Sequence, residues 1–110
     1  MAKENFNSNF ETVRERIMKL LQEVENPLTV EEIAAYLGLP PRSTREIYDH
    51  LWHIARTINR TSRGRKKLLM IPPQCRKCGY VFKNLNKPRK PSKCPKCKST
   101  WIMPPAFIIK

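Results

Sequence analysis

Four cysteines stand in two identical spacings, Cys75-Arg-Lys-Cys78 and Cys94-Pro-Lys-Cys97, with 15 residues between the pairs. The chain has no other cysteine. Two short turns that each offer two thiolates make a tetrahedral metal site. The competing chemistry is disulfide formation. Against it, the N-terminal stretch Met1-Ala-Lys-Glu-Asn-Phe-Asn7 lacks the apolar core of a secretory signal. No apolar run is long enough to span a membrane. The expected compartment is therefore the cytoplasm, where structural disulfides are rare. Zinc is the default ion for four thiolates, and iron is the alternative, since Cys-Arg-Lys-Cys-Gly-Tyr also suits a rubredoxin-type knuckle. Lys77, Lys96 and Lys98 add positive charge around the sulfurs. Gly79 follows the first pair, where a knuckle often needs positive φ, whereas the second pair has Lys98 there. Four cysteines close the coordination sphere, so the expected role is structural, with folding energy on the order of 10 kcal/mol from the metal.

A small ribbon needs elements to hold it. Leu68-Leu-Met-Ile71 is a short apolar run ended by Pro72-Pro73, and Ala106-Phe-Ile-Ile109 is a second. Both read as strands flanking the cysteines. Inside the ribbon, Tyr80-Val-Phe82 and Thr100-Trp-Ile102 follow the two knuckles as shorter strand candidates. Between them Lys83–Lys93 carries five basic residues and two prolines, the mark of an exposed loop.

Upstream the periodicity is helical. Phe6, Phe10, Val13, Ile17, Leu20, Leu21 and Val24 form one apolar face, opened by a Ser8/Glu11 capping box and stopped at Asn26-Pro27. Thr29 with Glu32 caps a short helix that turns Ile33, Ala34 and Leu37 inward and ends at Gly38. Ser43 with Glu46 opens a third helix with Ile47, Leu51, Ile54 and Ile58 on its inner face. Long helix, short helix, tight turn and helix make a helix-turn-helix pattern. The fold class expected is α+β: a three-helix winged helix-turn-helix with a rubredoxin-like zinc ribbon inserted at, or replacing, the wing. Residues 1–67 form the helical part; 68–110 supply wing strands (68–73 and 105–110) around the ribbon (74–103).

Charge narrows the function. All nine acids lie at or before Asp49, giving residues 1–49 a net charge of −3 and residues 50–110 a net charge of +16. A solvated surface usually mixes signs, whereas a surface that meets phosphate does not. The expected nucleic-acid contacts are Arg42, Ser43, Thr44 and Arg45 at the start of the third helix. Arg56, Arg60, Arg63, Arg65, Lys66 and Lys67 continue from the helix end into the wing, and Lys87, Arg89 and Lys90 lie in the ribbon loop. Arg45 is placed to read guanine, but Glu46 and Asp49 lie on or near the same face, and Asp49 can pair with Arg45. Trp52 on the outer face is expected to pack against the ribbon or a second subunit. His50 and His53 lack a third metal ligand nearby.

The segments Pro73-Gln-Cys-Arg-Lys-Cys-Gly-Tyr-Val-Phe-Lys83 and Ser92-Lys-Cys-Pro-Lys-Cys-Lys-Ser-Thr-Trp-Ile102 resemble a family of archaeal predicted transcriptional regulators. That family joins a winged helix-turn-helix to a rubredoxin-like zinc ribbon. The resemblance implies zinc at Cys75, Cys78, Cys94 and Cys97, and a regulator-like role. Duplex DNA is the expected partner. RNA, a ribonucleoprotein or a protein of the transcription machinery are the alternatives, and a homodimer is compatible with the apolar first helix. No paired acids in the basic half, no nucleophile beside a base and no glycine-rich phosphate loop point to an enzyme.

Overall fold

The computed structural model describes residues 11–110. Phe6, Ser8 and Phe10, assigned to the first helix and its cap, lie outside the described residues. Helix α1 spans Val13–Glu23, and a reciprocal capping box is present at Thr12 and Glu15. Pro27 follows, then β1 (Leu28–Thr29), which the sequence pattern does not disclose. Helix α2 spans Val30–Leu37 with the expected Thr29/Glu32 capping box, and ends on Gly38 at φ +70°. A 3-10 turn, Pro41–Ser43, leads into helix α3 (Thr44–Thr61). Here the cap differs from the sequence expectation. Ser43 sits in helical backbone geometry and makes no capping bond, because the preceding 3-10 turn already draws its N–H onto the Pro40 carbonyl at 2.9 Å.

The inner faces follow the periodicity. Ile47, Leu51, Ile54 and Ile58 of α3 are buried, as are Ile17 and Leu21 of α1 and Val30, Ile33 and Ala34 of α2. Small Ala34 lets α2 lie close to its neighbours. Two polar links tie the helices together. The Arg16 guanidinium donates to the Leu37 carbonyl at 2.9 Å, satisfying an end of α2. Arg14 Nε donates to His50 Nδ1 at 3.3 Å, joining α1 to α3.

Strands β2 (Leu68–Ile71) and β5 (Ala106–Ile109) pair antiparallel, Leu68 opposite Ile109 through Ile71 opposite Ala106. Lys67 and Lys110 extend the ladder by two backbone bonds. Strand β1 pairs with the other edge of β5, so the order is β1-β5-β2. Phe107, at the centre of this sheet and fully buried, drives its ring into the helical core and meets Tyr48 edge-on at 6.3 Å.

Beyond Pro72-Pro73 and Pro104-Pro105, strands β3 (Gln74–Cys75) and β4 (Ile102–Met103) resume the pairing, with Gln74 opposite Met103 and Cys75 opposite Ile102. The register is the same on both sides of the prolines, so one hairpin runs from the helical core to the cysteines. Tyr80–Phe82 forms only an isolated bridge, Val81 opposite Gln74, and the pairing of the second knuckle's strand is centred on Ile102–Met103 rather than on Thr100–Trp101. The ribbon has its own small core of Cys75, Cys94 and Ile102, with Phe82 and Cys97 against it. Two cores in tandem account for a radius of gyration of 15.3 Å, above the roughly 13 Å of one compact domain of this length.

Burial and then the Arg14 charge hold His50 below its ordinary pKa, so its Nδ1 stays an acceptor. A histidine depressed in the folded state contributes stability above its unfolded pKa that is lost as pH falls. An NMR titration is expected to place the His50 midpoint below 6.5, and Arg14→Met should raise it; an unchanged midpoint in that variant would contradict the link.

Candidate metal centre and basic cleft

The two knuckles share one hydrogen-bond plan. Gly79 N–H donates to the Cys75 carbonyl at 3.0 Å and Cys75 N–H to the Tyr80 carbonyl at 2.8 Å. In the second knuckle Lys98 N–H donates to the Cys94 carbonyl at 2.9 Å and Cys94 N–H to the Ser99 carbonyl at 2.8 Å. The closing residue is left-handed in both, φ +82° at Gly79 and φ +66° at Lys98. Lys98 thus takes the geometry that glycine takes without strain, at a cost of roughly 1–2 kcal/mol.

The four sulfurs lie within 4.8 Å of one another. Cys75 and Cys97 Sγ are 3.5 Å apart, and Cys78 and Cys94 Sγ 3.6 Å apart. These separations are far too long for disulfides, which need about 2.05 Å. They match the roughly 3.75 Å edge of a tetrahedron with metal–sulfur bonds of about 2.3 Å. Backbone N–H groups turn toward the sulfurs. The Cys78 N–H, 3.5 Å from Cys75 Sγ, is the main reason that thiol is lowered to about 6. Burial pushes Cys94 up, but the N–H groups of Cys97 and Lys96 outweigh it and the thiol is lowered. At Cys78 the Tyr80 N–H pulls downward, yet burial and the adjacent sulfurs raise the thiol to about 11. Sulfurs this close cannot all ionise without a cation among them, so the donor set fits a dication. Cys75 and Cys94 are buried, Cys97 half-buried and Cys78 exposed.

The other expected contacts separate into groups. Arg42, Arg45, Arg56, Arg60, Arg63, Arg65, Lys66, Lys67, Lys87, Arg89 and Lys90 are exposed, and Thr44 is half-buried. Ser43 is the exception. It is 8% exposed at the last position of the 3-10 turn, which leaves its hydroxyl little surface to offer a phosphate. Arg63, Arg65 and Lys66 line a hollow of about 420 Å³ past the end of α3, where Lys66 Nζ donates to Gln22 Oε1 at 2.6 Å. Ser62 Oγ accepts from the Lys66 N–H at 2.9 Å and fixes this turn.

A second hollow, about 390 Å³, is built by both halves of the chain. Thr44, Arg45, Tyr48 and Asp49 come from α3, and Lys87, Pro88, Arg89 and Lys90 from the ribbon loop. Among the described residues the one ion pair joins Lys19 to Glu11, so Asp49 does not neutralise Arg45. Trp52 holds the loop in place: Lys87 Nζ lies 5.6 Å from its ring centroid and Arg56 Cζ 5.2 Å. Trp52 therefore packs against the ribbon. The convergence of this loop on the first half of α3 is not readable from the sequence pattern; an outward Trp with no apolar partner was its only signal.

A helical domain closed by a hairpin, with a four-thiolate metal ribbon carried at the hairpin's far end, is the class of protein that these features define. The N-terminal model of the PF0610-like family matches residues 12–69, and the PF0610 rubredoxin-like zinc beta-ribbon model matches residues 72–110. The chain belongs to the PF0610-like family. The solution NMR structure of protein PF0610 from Pyrococcus furiosus is similar, with 37% identity and a TM-score of 0.67 over 89% of this chain and 88% of that one. No curated protein matches. No helix among the described residues is long and apolar enough to cross a membrane.

Chelation is expected to erase the ribbon's tertiary signals while helical circular dichroism persists, since Phe107 and the three helices share a core separate from the cysteines. Replacing a tight ribbon by a loose loop of roughly thirty residues should cost the helical part only about 3 kcal/mol in closure entropy. Simultaneous loss of both signals in a chelator titration would contradict this. At the knuckles, Gly79→Ala should destabilise the metal-bound form by about 1–2 kcal/mol through backbone strain alone, because the added Cβ meets only Gln74 Nε2 at 3.9 Å. Lys98→Gly should be neutral or stabilising by up to about 1 kcal/mol; denaturant melts of both variants check the pair.

Proposed function

We propose that this protein is a DNA-binding transcriptional regulator of the winged helix-turn-helix type, with zinc as the ion of its ribbon. The observation that carries the reading is the cleft between α3 and the ribbon loop, where Arg45, Lys87, Arg89 and Lys90 converge beside the single acid Asp49. Further support comes from order and charge. α2 and α3 are joined by a tight turn, the β2–β5 hairpin follows α3 as a wing would, and no Asp or Glu occurs after Asp49. In this reading the start of α3 approaches the major groove with Arg42 and Arg45 foremost. Its middle is covered at Trp52 by Lys87, so the loop continues the surface instead of the helix. Most contacts are then with phosphates, which position the protein, and few are with bases. A closed four-thiolate site has no open position for substrate, in keeping with a binding protein rather than an enzyme.

If about six cations meet duplex phosphates, log affinity falls with log salt at a slope near −5. Replacing Lys87, Arg89 and Lys90 together by Ala should reduce that slope by roughly 3. Fluorescence anisotropy on a labelled random duplex, at several stated salt concentrations, reads both. A slope near zero, or equal binding by the triple variant, would sink the proposal. Competition by structured RNA at equal salt separates DNA from RNA, and pull-down after nuclease treatment exposes a protein partner.

A further inference from the structure

Trp101 is 63% exposed, although the ribbon has a small core of its own. Its neighbour Ile102 is buried in that core, while Met103, 40% exposed, returns to the surface. The backbone places Trp101 deliberately. Its carbonyl accepts the Arg76 N–H at 2.9 Å and its own N–H donates to Ser99 Oγ at 3.0 Å. The Trp101 backbone is thus stapled to both knuckles, directly opposite that of Arg76, and both side chains are exposed. Exposed Lys77 is next in sequence to Arg76, and exposed Lys98 lies three residues before the indole. Tyr36 is equally exposed, at 67%, but its helix carries Glu31 and Glu32 and no basic residue, so it lacks this charge. An exposed indole on a hydrogen-bonded backbone, in a ribbon that carries exposed cations and no acid, has the parts on which unpaired bases stack while their phosphates are neutralised.

We propose that the Trp101 face of the ribbon, with Arg76, Lys77 and Lys98, is a binding site for single-stranded nucleic acid. One unpaired base stacks on the indole, and the adjoining phosphates lie against the three cations. The site is separate from the α3–loop cleft and takes a different substrate, so it stands whether or not the cleft binds duplex.

The test uses the full-length, metal-loaded protein. NMR resolves the two indole N–H signals, and a dU12 or rU12 oligonucleotide should shift that of Trp101 and leave that of Trp52 nearly unmoved. Trp101→Ala should weaken oligonucleotide binding about 10-fold or more at fixed salt, with Trp101→Phe restoring most of it. Duplex affinity should be unchanged in both variants. Cobalt-substituted spectra confirm that the variants keep the four-sulfur site. Comparing dU12 with rU12, which differ only in the 2′-hydroxyl, identifies the preferred sugar. No shift with either strand, an equal shift with a duplex, or unweakened binding by Trp101→Ala would each overturn the proposal; protection of Trp101 only by a protein would do so as well.

Discussion

Four sulfurs within 4.8 Å of one another hold together residues more than twenty positions apart in sequence. Mutual repulsion of thiolates at that separation is unfavourable until a cation sits among them, and then becomes the strongest local tie in the chain. Everything beyond the prolines depends on it. The ribbon's core has three buried residues, far too few to fold alone. Its loop reaches Trp52 only because the knuckles fix both loop ends.

The tie also organises charge. Sixteen basic residues without an acid would repel one another in a single compact body. Here they are distributed along an extended hairpin, the end of α3 and the loop that returns to it. The cleft gathers three of these cations, Lys87, Arg89 and Lys90, beside Arg45, and Lys87 also lies with Arg56 over the Trp52 ring. Assembly of a basic surface from two halves of a chain makes the metal a determinant of electrostatics as well as of folding.

Much of this was legible in the residues. The inner faces of α2 and α3 follow the apolar spacing at Ile33, Ala34, Ile47, Leu51, Ile54 and Ile58, because helix burial is a local, periodic property. The four cysteines announced their own convergence, since ligand type and spacing are set by the ion's geometry. Strand β1 was hidden because two residues cannot show a period, and Leu28-Thr29 reads equally well as a helix approach. The cap at Ser43 failed because a prolyl 3-10 turn competes for the same backbone, and local pattern does not rank the two. Ser43 was for the same reason lost as a phosphate contact. The docking of Lys87 on Trp52 is a meeting between distant segments: the outward Trp52 signals a partner in the ribbon or a second subunit, but nothing in its own segment singles out Lys87.

The joint between the two cores is made of Pro72-Pro73 facing Pro104-Pro105, with Pro73 and Pro105 fully buried. Four residues without an N–H cross the junction, so burying it strands no donor. It also means that no ladder bond spans the gap between Ile71–Ala106 and Gln74–Met103. The joint between the two sheets is consequently crossed by no ladder bond and is stiffened by pyrrolidine rings. A change in the ribbon's angle would break pairing on neither side, so it is the seat of Lys87 on Trp52 that sets the angle, while the uninterrupted register keeps the ribbon from sliding.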